Sequence, residues 1–286
     1  MDGLAKRLGR EDPLLSRRLI FSINAGRSGS SYLNKLMGTA KNVTSFHEPY
    51  PAMAGRYVPS FRKPLTSLKQ RLIYPAIRVK KYHKVVGVKE ILQTMPADHV
   101  YAESNHMFIL SFYDIVLDHF KNVQVINLRR YLPRVLKSYV ELGHYTPGHD
   151  LTFFWAVSPN NRTAAVRALA PDKDLDQVDI CIAYLIDIEA RAQRFLKEYP
   201  HIKVVDARLE SLNDPEYVHS FFGKLGLEPT EETDAVLGKV VYQRTKEKED
   251  YPEVTEEYCE ERILQYIQRC KEKGIEIPEL PQLEKA

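Results

Sequence analysis

Small residues between an apolar run and a helix are where a chain can hold a phosphate. Residues 22–33, SINAGRSGSSYL, have that layout. Gly26 and Gly29 let the backbone approach an anion closely, and Ser28, Ser30 and Ser31 add hydroxyl donors. Arg27 adds a permanent charge and a planar fork of donors. A nucleoside-triphosphate loop reads G-x-x-x-x-G-K-[ST]. Aligned on Gly29, this chain reads N-A-G-R-S-G-S-S, with Asn24 in place of the first glycine and Ser30 in place of the lysine. Triphosphate hydrolysis is therefore disfavoured, while anion binding at the start of a helix is not. The plainer reading is a capped helix start with a glycine turn.

A second cluster lies at 128–143, LRRYLPRVLKSYVELG. Arg129 and Arg130 close an apolar run, and Ser138 follows Arg130 by eight residues on the helix that begins there. Arginine at a strand end plus serine on the next helix can clamp a second phosphate. Taken alone, the cluster reads better as an ordinary helix start with solvated basic residues.

The elements that must carry these groups are legible in outline. Four nearly continuous apolar runs, at 18–24, 84–88, 123–128 and 202–206, read as buried parallel strands. Helical spacing marks Leu33, Leu36 and Met37, then Cys181, Leu185, Ile188, Ala192 and Phe195, then Val218, Phe221, Phe222 and Leu225, with Gly226 as a stop. A further amphipathic helix is expected at 254–273. Strands alternating with helices predict an α/β fold, a doubly wound parallel sheet flanked by helices, with ligands beyond the carboxyl ends of the strands. Residues 1–17 read as a tail and 18–286 as one domain, with excursions over the ligand face at 49–83 and 143–178.

Taken together, the two clusters resemble the sulfotransferases that use 3′-phosphoadenosine 5′-phosphosulfate (PAPS). GRSGSSYL (26–33) is similar to their 5′-phosphosulfate loop, and RRYLPRVLKSY (129–139) to their 3′-phosphate motif, commonly R-D-P-R-x-V-x-x-S. VVDARLESLNDPEYVHSFFGKLGL (204–227) is similar to a third family segment, and the likeness covers about 18–140 and 202–245. Tyr131 and Leu132 replace the family's Asp-Pro, with Pro133 one place late; the spacing to Ser138 favours Arg130 over Arg129. Asp206, at the end of a run that mimics a Walker B strand, reads as structural.

The resemblance implies a P-loop-like sulfotransferase fold and a PAPS donor that leaves as 3′,5′-adenosine bisphosphate, with no metal required. It assigns the 5′-phosphate to Gly26, Arg27, Ser28, Gly29, Ser30 and Ser31, and the 3′-phosphate to Arg130 and Ser138. Arg244 and Lys246 are candidates to fold over the 3′-phosphate, and Tyr242, Trp155 or the surroundings of Leu212 to hold the adenine. A proton must leave the acceptor. Glu48, in the segment SFHEPY (45–50), ranks first as general base, His47 second, and Glu103, in YAESNH (101–106) beside His106, third. Lys89 and Glu90 follow the run 84–88, where cytosolic members carry a catalytic histidine, and no histidine stands there.

The basic stretch from Arg56 to Lys84 suits an acidic acceptor such as a glycan, solvent, a membrane surface or RNA. Its aromatic residues, Tyr57 and Tyr74 among them, suit a pocket for a small molecule, and a small-molecule or glycan acceptor is expected. The rival readings are a P-loop small-molecule kinase and a non-catalytic nucleotide- or RNA-binding protein. Composition, 44% apolar and 28% charged over 286 residues, is that of a globular protein. A net charge of +3 does not announce nucleic acid. No apolar run is long enough to span a membrane. Three sparse cysteines argue against disulfides or zinc, and a cytoplasmic setting is expected. Oligomeric state is open.

Overall fold

The computed structural model describes residues 12–51, 53, 67–146, 164–166, 169, 175–238 and 254–285, with the backbone alone for 67–80. The fold is mixed α/β. Its strands are β1 Arg18–Ile23, β2 Val43–His47, β3 Val100–Ser104, β4 Asn122–Arg129 and β5 Lys203–Arg208. They form a five-stranded sheet in the order β2-β3-β1-β4-β5, and each neighbouring pair is parallel. Helices cover both faces. In chain order they are α1 Ser30–Met37, α2 Ser67–Thr94, α3 Tyr113–His119, α4 Leu132–Val140, α5 Gln177–Glu198, α6 Pro215–Leu225, α7 Glu231–Val236 and α8 Glu256–Glu272.

Local chemistry explains where the helices begin and end. The Asp176 carboxylate accepts from the Asp179 amide at the start of α5, and Thr255 does the same for Tyr258 at the start of α8. Asp214 caps α6, whose first residue is Pro215, and Gly226 ends it in a left-handed conformation. Apolar faces expected from spacing are buried: Leu33, Leu36 and Met37 with Val218, Phe221, Phe222 and Leu225 on one side of the sheet, Cys181, Leu185, Ile188, Ala192 and Phe195 on the other.

One expected strand is not a strand. Residues 84–88 lie inside α2, where Val85, Val88 and Leu92 recur at helical spacing and are buried. Valines and a glycine mimic a strand locally, but tertiary packing decides the outcome. Lys89 and Glu90 are accordingly helical, and the Lys89 ammonium lies 2.9 Å from Asp12. The strands β2 and β3 take that part of the sheet, in stretches too polar to read as buried strands. The 49–83 excursion likewise contains the first turns of α2. The candidate residues Trp155, Tyr242, Arg244 and Lys246 lie outside the described residues.

The order of strands places β1 between β3 and β4. The chain leaves β1 for α1 on one face and leaves β4 for α4 on the other. Connections that diverge in this way open a crevice at the carboxyl ends of the strands. Beneath it, Phe21 of β1 stacks on Phe108 with ring centroids 4.9 Å apart, and both are fully buried. Replacing Phe108 by Ala is expected to lower the unfolding free energy by about 3–5 kcal/mol. Urea titration checks this: the midpoint falls while the slope stays the same.

Candidate active site

After β1 the backbone turns sharply into α1. Arg27 and Gly29 both have left-handed backbones, with φ of 65° and 95°. Side chains brace the turn from within: the Ser22 hydroxyl donates to Asn24 Oδ1 (2.6 Å), the Asn24 amide donates to the Ala25 carbonyl (3.0 Å), and the Ser28 hydroxyl donates to the same carbonyl. Ser28 is buried, so its hydroxyl serves the loop rather than a ligand. Gly29 is the N-cap of α1 and brings no side-chain cap. The first amides of α1 therefore keep their donors and the positive end of the helix dipole for an anion. A side chain at Gly29 would meet Leu209 at 2.5 Å, and one at Gly26 would meet the Tyr139 hydroxyl at 2.5 Å.

The two arginine clusters of the sequence meet here. Arg27 Nε donates to Ser138 Oγ of α4 (3.1 Å), and Arg130 Nη1 donates to the Arg27 carbonyl (3.0 Å). Among the described residues, neither Arg27 nor Arg130 has a carboxylate within ion-pair distance. Burial, the largest influence, pulls the Arg130 pKa below the usual guanidinium value; Glu210 opposes it, and Arg134 and Arg27 add to it. Arg129 is the reverse case. It contacts Glu189 through two nitrogens (2.8 and 3.1 Å) and Asp206 (2.6 Å). Burial lowers its pKa, but these two carboxylates outweigh it and the net shift is upward. Asp206, which also accepts from Asn127 (2.9 Å), is thereby part of a structural network.

Opposite the loop stand the titratable groups that follow β2 and β3. Glu48 has a left-handed backbone with φ of 50°, and its amide donates to the Ser104 carbonyl (3.2 Å). Its Oε1 lies 2.6 Å from His106 Nδ1. Burial acts to raise the Glu48 pKa, but the His106 hydrogen bond and the charges of His106, His47 and Lys84 prevail and hold it below the usual carboxylate range. His47 Nε2 lies 3.1 Å from Ser31 Oγ, and its Nδ1 lies 3.0 Å from Ser104 Oγ. Glu103 is not with them. It is buried, paired with Lys84 (2.7 Å), and accepts from Tyr101 and Asn105 (2.8 Å), so no oxygen of it reaches the cavity.

A cavity of about 270 Å³ joins these parts. Gly26, Arg27, Ser30 and Ser31 line one side, and His47, Glu48 and His106 a second. Tyr139, His144, Tyr145 and Tyr184 close the third. Burial pushes the Tyr184 hydroxyl up to about 12, against hydrogen bonds with Tyr139 and the Gly26 amide. The sequence alone places His106 only in a rival cluster with Glu103, and it gives no hint of this aromatic wall. His106 had a signal: it stands two residues beyond the end of β3, the strand that local composition concealed. Tyr184 had none, because it sits within the apolar spacing of a core helix.

The residues present fit a bisphosphorylated ligand without a pendant γ-phosphate: uncapped α1 amides, two arginines and two hydroxyls converge, and no lysine stands at Ser30. Among the described residues no cluster of three or more His, Cys, Asp or Glu is arranged to hold a metal ion. No helix among them is long and apolar enough to cross a membrane.

No protein-family model matches the chain, and no curated protein matches it. Solved structures do. A sulfotransferase from Alicyclobacillus acidocaldarius is 14% identical, with 90% of this chain and 96% of that one covered and a TM-score of 0.46. A sulfotransferase domain from the curacin biosynthetic pathway is 11% identical, with 92% and 99% covered and a TM-score of 0.49. A sulfotransferase from Mycobacterium tuberculosis H37Rv is 15% identical, with 92% and 81% covered and a TM-score of 0.49.

The close approach of Tyr139 to the loop can be tested in two steps. Gly26→Ala forces its methyl onto the Tyr139 hydroxyl and is expected to cost about 1–3 kcal/mol. Adding Tyr139→Phe removes the obstructing oxygen, and the ring carbon behind it stands at an ordinary 3.5 Å. Thermal melting of the two variants should show loss, then recovery of most of the difference.

Proposed function

We propose that the protein is a PAPS-dependent sulfotransferase acting on a hydroxyl or amine of a small-molecule or glycan acceptor. One observation carries the reading: Arg27, which lines the cavity opposite Glu48 beside the uncapped start of α1, is joined behind the loop to Ser138 and Arg130. The sequence likeness of 26–33 and 129–139 to the family's two phosphate motifs supports it.

In this reading the amides of α1, the Ser30 and Ser31 hydroxyls and the Arg27 guanidinium hold the 5′-phosphate. Ser138 and Arg130 hold the 3′-phosphate, with Arg244 and Lys246 assigned to the same group. When bound, the donor supplies the sulfonate and leaves as 3′,5′-adenosine bisphosphate. Arg27 and the amides stabilise the negative charge that grows on the departing phosphate, from positions fixed before the reaction begins. Glu48 takes the acceptor's proton. Its hydrogen bond with His106 keeps the carboxylate aimed and ionised. His47, tied to Ser31 and Ser104, orients the loop hydroxyl rather than taking the proton.

Calorimetry without metal tests the donor site. The bisphosphate is expected to bind more tightly than ATP, and Arg27→Ala to weaken it by about 10–100-fold, the loss of charge-assisted hydrogen bonds. Equal affinity for the two nucleotides would overturn the reading. Glu48→Gln is expected to keep bisphosphate affinity and lower kcat by about 10²–10⁴-fold. Full turnover in that variant would move the role to another residue.

The pH dependence has a defined sign. The ionised carboxylate is the active form and its pKa in the free protein is depressed, so kcat/KM falls only below the ordinary glutamate value of 4.5. A kcat/KM profile with its acidic limb at or above that value removes Glu48 as the base.

A further inference from the structure

Lys84 of α2 is a fully buried lysine. It lies 2.7 Å from Glu103 Oε1, donates to the Pro49 carbonyl (3.2 Å), and stands 5.3 Å over the Phe112 ring. Pro49 is the residue after Glu48. Gly87 stands one helical turn on. Pro51 Cδ lies 2.2 Å from where a Gly87 side chain would begin, and the Tyr50 carbonyl lies at 3.2 Å. Residues 49–51 therefore rest directly on the backbone of α2, in a space that only glycine leaves open.

The same network reaches the other half of the pair. Glu103 accepts from Asn105 Nδ2 (2.8 Å), Asn105 Oδ1 accepts from the Met107 amide (2.9 Å), and the Asn105 amide donates to Ser22 Oγ (3.2 Å). His106 is thus flanked by backbone that Glu103 and Ser22 hold in place. Glu48 itself has a left-handed backbone, a conformation that a non-glycine residue keeps only when its surroundings hold it. None of the network's side chains on α2 lines the cavity, so their effect on chemistry is exerted through Glu48 and His106.

We propose that Lys84 and Gly87 are positioning residues, which seat the 48–51 segment on α2 so that Glu48 meets His106. The proposal rests on the reading of Glu48 as proton acceptor. It predicts effects on the Glu48–His106 pair that exist whether or not that reading holds.

Two variants of the full chain test it. Gly87→Ala suits the helix itself but displaces Pro51. The paired change Lys84→Gln with Glu103→Gln removes both buried charges together, so neither is left without its partner. The Glu48–His106 hydrogen bond, followed through the nitrogen chemical shift of His106 Nδ1 by NMR in the protein without ligand, is expected to be lost in both variants. With the donor, kcat is expected to fall by about 10–100-fold while bisphosphate affinity stays at the wild-type level, as for a small displacement of a catalytic group. An unchanged Nδ1 shift together with unchanged kcat would overturn the positioning role. A loss of kcat matched by an equal loss of bisphosphate affinity would also overturn it, because the damage would then extend to the whole site. If the wild-type protein transfers no sulfonate, the functional reading falls and the Nδ1 shift alone decides the positioning role.

Discussion

The contact between Arg27 and Ser138 is the constraint on which the site depends. Arg27 belongs to the loop after the central strand, and Ser138 to a helix that lies on the opposite face of the sheet. A parallel sheet wound in both directions leaves a gap between two such connections. One guanidinium crosses it, and Arg130 returns the link by donating to the Arg27 carbonyl. Loop and helix start are thereby set at a fixed separation before any ligand arrives. Preorganised donors of this kind cost no rearrangement at the moment charge develops.

The two adjacent arginines at the end of β4 illustrate how a fold divides labour between identical side chains. Arg129 is neutralised by Glu189 and Asp206 and ties β4 to β5 and α5. Arg130 faces the loop, where its nearest charged neighbours include another guanidinium. Composition cannot separate them, because they are adjacent in the chain. What separates them is position: Arg129 is the last residue of β4, in register with Arg208, and Arg130 is the first beyond it.

Much of the architecture was legible in the chain. The loop at 22–33 and the arginines at 129 and 130 lie at strand ends, and the apolar faces of α1, α5 and α6 are buried as their spacing required. The middle of the chain was not legible, for a physical reason. Residues 84–88 look like a strand, but α2 buries Val85 and Val88 with helical periodicity, and Gly87 is there for contact with Pro51. The true strands, VTSFH and VYAES, carry polar groups whose partners come from distant segments: Ser45 with Asn34, Glu103 with Lys84. Such pairing is invisible to local pattern. Without β3, His106 reads as a companion of Glu103 rather than of Glu48, and Glu103 looks like a free acid when it is the acceptor of a buried network.

The left-handed backbone at Glu48 has a consequence for descent. Few side chains tolerate that conformation: glycine and the short polar residues do so most readily, and β-branched ones scarcely at all. Aspartate keeps a carboxylate there but stops one methylene short of His106, while asparagine and glycine bring no acid. The routes by which this position can exchange its chemistry are therefore few, and an inherited acid can be lost in a single step far more easily than it can be moved.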